Sequence, residues 1–107
     1  MQTYQCIECS IAKKLLGDGA ILLDIRDQDS FNAAHPKEAQ HLSNDNFQQI
    51  LSPIAKDQPI LILCYHGISS KSAAQFISSQ GFNQVFSIDG GFEQWNQLYS
   101  NDTKSSA

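Results

Sequence analysis

Residues 60–72 read ILILCYHGISSKS, and this stretch decides the fold class. Four apolar residues form a run of strand length, a cysteine follows at position 64, and a short loop leads into a segment with helical spacing. Strands that are apolar at every position are typical of parallel sheets that helices cover on both faces. The stretch therefore predicts an α/β fold with Cys64 at the carboxyl end of a central strand, where such sheets bind their ligands.

Apolar strand-like runs alternate with helix-length segments on both sides of this stretch. We expect strands over residues 4–7, 21–25, 40–42, 60–64 and 85–88. We expect helices over residues 8–16, 28–34, 44–51 and 70–80, and a last one after Gly90 and Gly91. Gly17 and Gly81 are expected to cap two of these helices, and Pro36 to stop a third. This order predicts one domain with a mostly parallel five-stranded sheet and helices on both faces.

The length and composition limit the chain to one core. Of its 107 residues 41% are hydrophobic, so we expect a domain over residues 1–99 and a flexible tail over residues 100–107. No run approaches the roughly 20 apolar residues of a membrane helix, and the first nine residues lack the features of a secretory signal. We therefore expect a cytoplasmic protein without a membrane partner. The formal charge of −4 argues against nucleic acid as a partner.

Cys64 is the candidate reactive residue. A thiol is nucleophilic only as the thiolate, and a free cysteine with a pKa of about 8.5 needs positive potential nearby to ionise at neutral pH. The N-terminus of the following helix supplies such potential, and Gly67 permits a tight loop whose amides point inward. We therefore expect the backbone amides of residues 65–70 to face the Cys64 sulfur.

Each residue of this loop also has a structural interpretation. Cys64 can be an ordinary buried cysteine, since free cysteine is among the most buried residue types. His66 is more simply a solvated loop residue than a general base, and Lys71 a solvated helix charge that adds positive potential. Ser69 and Ser70 can cap the helix by accepting a hydrogen bond from a free amide at its start.

The other two cysteines, Cys6 and Cys9, have a C-x-x-C spacing. Zinc needs four ligands, and His35, His41 and His66 are scattered, so we expect neither a metal nor a cofactor. We expect structural roles for Cys6 on the first strand and Cys9 on the first helical turn, with a redox pair as the alternative. An odd number of cysteines argues against a disulfide framework, and we expect reduced thiols.

The segment after the strand at residues 85–88 carries two further signals. Two glycines directly after the strand, Gly90 and Gly91, follow Asp89 and indicate that the backbone passes close to another segment, for which the Cys64 loop is the candidate. Large aromatic residues at helical and strand positions usually pack inside. We therefore expect core positions for Phe86, Phe92 and Trp95.

Three segments of the chain resemble the rhodanese domain. They are LLDIRDQDSF at residues 22–31, LCYHGISS at 63–70 and SIDGGFEQW at 87–95. Their order and spacing match across nearly the whole chain, and the likeness is greatest to single-domain thiosulfate sulfurtransferases of the GlpE type. Each segment alone is weak evidence, whereas the three together are specific.

The resemblance implies a rhodanese-like domain and a thiosulfate sulfurtransferase activity. In this family the cysteine equivalent to Cys64 attacks the outer sulfur of thiosulfate, sulfite leaves, and the persulfide is handed to cyanide or to a thiol such as reduced thioredoxin. A covalent intermediate of this kind divides one difficult transfer into two easier ones. The resemblance also implies that the loop after the cysteine binds the transferred sulfur: Tyr65, His66, Gly67, Ile68, Ser69 and Ser70.

The loop departs from the family pattern. Many rhodaneses have arginine directly after the cysteine and arginine or threonine at the loop end, whereas this chain has Tyr65 and Ser69. We therefore expect weak recognition of the sulfonate by side chains and a high Michaelis constant for thiosulfate. Ile68 replaces a small or polar residue, which is expected to narrow access or favour a protein acceptor. Residues 34–36 read AHP where the family often has glycine, histidine and an apolar residue, so a different loop shape is expected there.

Two other functions use related folds. A phosphatase or arsenate reductase needs an arginine six residues after the cysteine to bind an oxyanion, and this chain has Ser70 there. Its only arginine, Arg26, is expected to pair with Asp24 or Asp27 rather than with substrate. A sulfur carrier or regulatory binding module without turnover of its own would use the same loop, so the sequence leaves this alternative open.

Overall fold

Seven short strands and five α-helices alternate along residues 4–105, the part of the chain that this computed structural model describes. The strands are β1 (Gln5–Ile7), β2 (Ile21–Asp24), β3 (His35–Pro36), β4 (Gln40–His41), β5 (Ile60–Leu63), β6 (Val85–Ile88) and β7 (Thr103–Lys104). The helices are α1 (Cys9–Gly17), α2 (Gln28–Ala33), α3 (Phe47–Leu51), α4 (Ser69–Ser79) and α5 (Gly91–Leu98), and Ser100–Asp102 form a 3₁₀ turn. No helix within residues 4–105 is both long enough and apolar enough to cross a bilayer.

Five of the strands form one sheet in the order β1-β6-β5-β2-β4, and every pair in it is parallel. At the centre, Ile60 of β5 lies opposite Ile21 of β2 on one side and opposite Val85 of β6 on the other. The carboxyl ends of parallel strands lie at one edge of a sheet, and Cys64 directly follows β5 at that edge. The expected five-stranded parallel sheet is confirmed.

Helices cover both faces of the sheet because the central strand is buried on both. Side chains alternate along a strand, so Leu61 and Leu63 of β5 pack toward α1 and α5, while Ile60 and Ile62 pack toward α3 and α4. The expected core aromatics lie in the first of these layers, with Phe92 and Trp95 buried and Phe86 packed against them. This two-layer packing fixes the strand that precedes the Cys64 loop.

Two helix ends differ from the sequence-based expectation. Gly17 is the last residue of α1 and not its left-handed cap; Asp18 caps the helix, and the positive φ of 107° belongs to Gly19. The helix stops there because the chain turns at Gly19, whose N–H donates to the Leu16 carbonyl while the Ala20 N–H donates to the Leu15 carbonyl. Helix α3 starts at Phe47 rather than at position 44. By contrast, the glycine expected to end α4 does so with φ 101° at position 81.

The C-terminal segment is not a free tail as far as residue 105. Strand β7 pairs antiparallel with β3, with Lys104 opposite His35, and this short ladder gives residues 34–36 their extended shape. The Asp102 carbonyl accepts a hydrogen bond from the Lys37 N–H at 2.7 Å, and the Asp102 carboxylate pairs with Lys13 of α1. Residues 100–105 thus contact the rest of the fold, and positions 106–107 lie outside the described residues. The flexibility of the tail stays a prediction.

Candidate active site

Cys64 lies between the end of β5 and the start of α4, and it is 5% exposed. Its sulfur accepts a hydrogen bond from the Gly67 N–H at 3.0 Å and lies 3.3 Å from the Ser70 hydroxyl oxygen. The loop thus turns back on itself so that main-chain and hydroxyl groups converge on the Sγ atom. The expectation that the loop amides surround this sulfur holds for part of the loop.

The hydrogen bonds around the sulfur outweigh its burial. Burial acts to raise the pKa of Cys64, but donation from the Ser70 hydroxyl and from the backbone amides of Ser70, Gly67 and His66 lowers the pKa below its ordinary value. No charged side chain is among these causes. The thiolate is therefore stabilised by neutral donors, as in an anion-binding nest of backbone amides.

Helix α5 holds the loop from behind. Its first amides lack partners inside the helix, and two of them donate to the loop: Phe92 N–H to the Cys64 carbonyl at 2.7 Å and Glu93 N–H to the Tyr65 carbonyl at 3.1 Å. In a trans peptide the C=O and N–H groups point in opposite directions. Anchoring the Tyr65 carbonyl toward α5 therefore directs the next amide, that of His66, to the side where the sulfur lies.

Glycines are required where the two segments meet. Gly67 has φ 86°, and a Cβ built on it lies 2.8 Å from the Gly90 nitrogen and 3.0 Å from the Ile88 oxygen. Gly91 has φ 58°, and its Cβ would lie 2.4 Å from the Tyr65 carbonyl oxygen. Real Cβ contacts of this length do not occur, so a side chain at either position forces the backbones apart. The predicted close approach of the glycine pair to the Cys64 loop is confirmed.

The Ser70 hydroxyl contacts the Cys64 sulfur and does not cap helix α4. Helix α4 begins at Ser69 after Ile68, and no side chain caps it. The Ser70 hydroxyl instead lies between Cys64 Sγ and the Ser87 hydroxyl, 2.7 Å from the latter. The alternative interpretation, in which Ser69 or Ser70 caps the helix, is therefore wrong. Sequence reasoning also missed Ser87, whose signal was a lone polar residue in the apolar strand β6.

The remaining loop side chains form an exposed rim. Tyr65 is 49% exposed and Ile68 72% exposed, and the rings of Tyr65 and His66 lie 4.5 Å apart. His66 Nδ1 lies 3.5 Å from a Glu93 carboxylate oxygen, with both side chains open to solvent. Ser69 is exposed as well. These side chains lie at the surface, whereas the groups that contact the sulfur come from the backbone and from the buried Ser70.

Arg26 has partners within the protein. Its guanidinium pairs with the buried Asp24 carboxylate at 2.8 Å, donates to the Ala34 carbonyl at 2.7 Å and lies over the Phe92 ring. The expected pairing with a carboxylate is confirmed, and of the two candidates, Asp24 and Asp27, the partner is Asp24. The guanidinium of the only arginine in the chain thus contacts other residues of the protein, and Arg26 is 8% exposed.

Cys6 and Cys9 are not among the residues that hydrogen-bond the Cys64 sulfur. Cys6 is exposed on β1 and Cys9 is the buried first residue of α1, as expected, and both are free thiols. The Cys9 thiol approaches the Asp89 carbonyl at 3.6 Å and the Gly91 carbonyl at 3.9 Å. Burial, then the charges of Asp89 and Glu8, raise the pKa of Cys9 to about 11. Among residues 4–105, no group of histidine, cysteine or carboxylate side chains is arranged to hold a metal ion.

Sequence comparisons identify relatives over most of the chain. The model of the rhodanese-like domain family matches residues 9–98. A Vibrio cholerae protein named thiosulfate sulfurtransferase GlpE is 53% identical over 78 residues, which are 73% of this chain and 74% of that protein. A protein of the same name from Tolumonas auensis is 51% identical over 78 residues, with the same coverage of 73% and 74%.

Solved structures show the same fold. The crystal structure of the Alr3790 protein from Anabaena sp. superposes with a TM-score of 0.79 at 21% identity, over 92% of this chain and 80% of that chain. At this level of identity the likeness concerns the fold alone. The family match and the sequence relatives go further, and by them the chain belongs to the family of rhodanese-like domains.

Proposed function

We propose that this protein is a thiosulfate sulfurtransferase in which Cys64 carries the sulfur as a persulfide. The Cys64 thiolate attacks the outer sulfur of thiosulfate, an S–S bond forms to Cys64, and the bond to the sulfonate sulfur breaks with its electron pair, releasing sulfite. A nucleophilic acceptor then attacks the terminal sulfur and the Cys64 thiolate leaves. With cyanide as the acceptor the product is thiocyanate, and charge balances in both steps.

The hydrogen bonding around Cys64 Sγ carries this proposal. The same thiolate is the nucleophile of the first step and the leaving group of the second, so whatever stabilises it at neutral pH assists both. The Gly67 N–H at 3.0 Å and the Ser70 hydroxyl at 3.3 Å supply that stabilisation without a general base. The name thiosulfate sulfurtransferase, which the relatives from Vibrio cholerae and Tolumonas auensis carry, supports the choice of donor.

Recognition of thiosulfate rests on the main chain in this proposal. Arg26 is held by Asp24, and His66 lies beside Glu93, so the loop offers the sulfonate few cationic side chains. Lys71, exposed in the first turn of α4, is the nearest lysine in sequence. We therefore expect a high Michaelis constant for thiosulfate.

The acceptor is proposed to meet the rim of the loop. Cyanide and small thiols reach a terminal sulfur without a docking surface, whereas a protein acceptor such as reduced thioredoxin would contact the exposed Tyr65 and Ile68. Apolar side chains exposed beside a reactive atom suit a protein surface better than a small anion. A cytoplasmic location stays a prediction.

The test combines turnover with intact mass. Wild type incubated with thiosulfate is expected to gain about 32 Da, one sulfur atom, and to lose that mass on addition of cyanide while thiocyanate forms. Cys64→Ser is expected to show neither change, and Cys6→Ser, which alters an exposed thiol outside the loop, both. Sulfur transfer by Cys64→Ser, or a mass gain that maps to Cys6, contradicts the proposal.

A sulfur carrier is the second candidate, and the shortage of free cations near the loop favours it. If another enzyme supplies the sulfur as a persulfide, the sulfonate needs no binding site. Incubation with a cysteine desulfurase and cysteine would then load Cys64, and incubation with thiosulfate would not. Loading by thiosulfate at millimolar concentration, followed by release to cyanide, decides for the enzyme.

A phosphatase is disfavoured by the residue six positions after the cysteine. Ser70 occupies that place, is fully buried, and contacts the sulfur rather than open space for an oxyanion. We expect no release of phosphate from p-nitrophenyl phosphate above that of Cys64→Ser.

A further inference from the structure

Two buried serines extend the contacts of the Cys64 sulfur into the protein interior. Ser70 lies in the first turn of α4 and Ser87 in the middle of β6, and both are 0% exposed. Their hydroxyl oxygens are 2.7 Å apart, and the Ser70 oxygen is 3.3 Å from Cys64 Sγ. The three side chains therefore form a line with two hydrogen-bond links, Cys64 to Ser70 and Ser70 to Ser87.

The number of hydrogens in this line depends on the charge of Cys64. Within residues 4–105, the two hydroxyls have no hydrogen-bond partner other than Cys64 and each other. In the thiol, one S–H and two O–H hydrogens share two links, so one hydrogen stays without an acceptor in a buried place, which is unfavourable. In the thiolate, the Ser87 O–H donates to Ser70 and the Ser70 O–H donates to sulfur. Both links are then filled and no hydrogen remains unpaired.

We propose that Ser87 is a positioning residue for sulfur transfer: its hydroxyl donates to Ser70, turns the Ser70 hydroxyl toward Cys64, and so favours the thiolate. Ser87 does not touch the sulfur and acts only through Ser70. The inference rests on the proposed role of Cys64 and adds to it a residue on the neighbouring strand. A hydroxyl that is already accepting a hydrogen bond is also a stronger donor, because linked hydrogen bonds polarise one another.

Charged side chains near the loop do not account for the lowered pKa of Cys64. The described charged and histidine side chains on the loop and on the elements around it are Asp24, Arg26, His66, Lys71, Asp89 and Glu93, and the other titratable groups there are Tyr65 and Cys9. Asp24 and Arg26 neutralise each other, and His66 lies near Glu93. None of the six is among the causes that shift the Cys64 pKa through its charge. The hydroxyls of Ser70 and Ser87, together with the loop amides, are therefore the main groups that stabilise the Cys64 thiolate.

The test is the pH dependence of Cys64 alkylation by iodoacetamide, which does not require sulfur transfer. In a Cys6→Ser background, Ser87→Ala is expected to raise the apparent pKa of Cys64 by about 0.5 to 1 unit, and Ser70→Ala by at least as much. The kcat of sulfur transfer from thiosulfate to cyanide is expected to fall about threefold to tenfold in Ser87→Ala, in proportion to the decrease in the thiolate fraction of Cys64. Ser78→Ala removes another fully buried serine hydroxyl, near the far end of α4, and is expected to leave the alkylation profile unchanged.

A double-mutant cycle checks that Ser87 acts through Ser70. In the Ser70→Ala background, Ser87→Ala is expected to shift the apparent pKa by less than about 0.2 unit, because no hydroxyl is left to orient. An equal shift in both backgrounds overturns the proposal, as does a Ser87→Ala profile that coincides with that of the background protein.

A second pair of variants covers the case in which Ser87→Ala does not fold. Ser87→Thr keeps a hydroxyl and Ser87→Val replaces it with a methyl group of similar size, and both residues suit a strand. The pKa of Cys64 is expected to be lower in Ser87→Thr than in Ser87→Val by about 0.5 unit or more, and equal values overturn the proposal. If instead the profiles behave as expected while no persulfide forms with any donor, the assigned function fails and the role of Ser87 stands.

Discussion

Cys64 and Cys9 are both buried beside the same backbone segment, yet their pKa values shift in opposite directions. The pKa of Cys64 is lowered in spite of burial, through the Ser70 hydroxyl and loop amides. The pKa of Cys9 is raised to about 11, by burial first and then by nearby carboxylates. Cys9 is even the first residue of helix α1, a position that usually favours a thiolate.

The difference lies in which polar atoms face each sulfur. Cys9 Sγ approaches carbonyl oxygens, those of Asp89 at 3.6 Å and Gly91 at 3.9 Å, and these repel a negative charge. Cys64 Sγ faces the N–H of Gly67 at 3.0 Å. A cysteine at a helix start is therefore not reactive by position alone. Burial and nearby carboxylates raise the pKa of Cys9, whereas hydrogen-bond donors around Cys64 lower the pKa of that thiol in spite of its burial.

The largest expected effect is the difference in alkylation rate between the two thiols of the native protein. Iodoacetamide at pH 7.5, with the products resolved by peptide mass, is expected to modify Cys64 at least about 1000-fold faster than Cys9, since a pKa near 11 leaves little thiolate. Cys9 is expected to react only after denaturation. Comparable rates in the folded protein would break the comparison.

Gly67→Ala is expected to damage the environment of Cys64 and spare that of Cys9. The added Cβ lies 2.8 Å from the Gly90 nitrogen at φ 86°, so we expect activity to fall about 100-fold and the free energy of unfolding by about 2–4 kcal/mol. An assay of sulfur transfer measures the activity, and urea denaturation measures the free energy of unfolding.

The matched control for this change is Gly17→Ala. A Cβ on Gly17 has no neighbour within 4 Å and its φ is not positive, so the free energy of unfolding is expected to change by less than about 1 kcal/mol. Equal losses in the two variants would show that the loop geometry around Gly67 has no special role.

The pH dependence of stability is expected to carry opposite signs for the two thiols. Protonated Cys9 stabilises the fold below the ordinary thiol pKa of 9.0, and this contribution is lost as pH rises toward 11. Wild type is therefore expected to lose on the order of 1 kcal/mol more than Cys9→Ala between pH 8.5 and pH 10.5.

Cys64 behaves in the reverse way. Its lowered pKa stabilises the folded state above pH 9.0 and this contribution is lost as pH falls through the folded value. The stability gap between wild type and Cys64→Ala is expected to narrow as the pH is lowered. Urea titrations at several pH values measure both gaps, and gaps that move in the same direction would refute the assigned dipole directions.

The smallest effect is expected for the charged side chains of the loop. His66→Ala and Lys71→Ala should each change the alkylation rate of Cys64 by less than about threefold, since both side chains are exposed and neither charge lowers the pKa of Cys64. The same insensitivity is expected on raising salt to 1 M. A loss above tenfold in either variant would move the source of stabilisation from backbone dipoles to side-chain charge.

The fold and the position of the site could be predicted because the signals were local. The apolar run of β5 defined a central strand, and the residue at its carboxyl end had to lie at the ligand-binding edge. The doublet at Gly90 and Gly91 indicated a close approach of backbones before the partner segment was known. The sequence predicted that Arg26 pairs with a neighbouring carboxylate, Asp24 or Asp27, and the structure identifies Asp24.

What escaped the sequence depends on contacts between distant residues. Ser70 was assigned to the loop that binds the transferred sulfur, with a helix cap as the alternative, and only the fold places it against Ser87, which is 17 residues away in the chain. Strand β7 has two residues with no apolar alternation, and it forms only because β3 offers it an edge. Which of the loop amides reach the sulfur likewise depends on α5, whose first amides hold the loop carbonyls.

Because α5 binds the loop through its main chain, the ionisation of Cys64 and the contacts of the loop with other molecules depend on different groups. Ionisation of Cys64 depends on main-chain groups and the buried Ser70 hydroxyl, while the side chains of Tyr65, His66 and Ile68 are exposed on the same turn. We expect replacement of these outward side chains to alter contacts with a sulfur acceptor while the pKa of Cys64 stays unchanged. Single substitutions at the rim would then change acceptor preference without weakening the nucleophile.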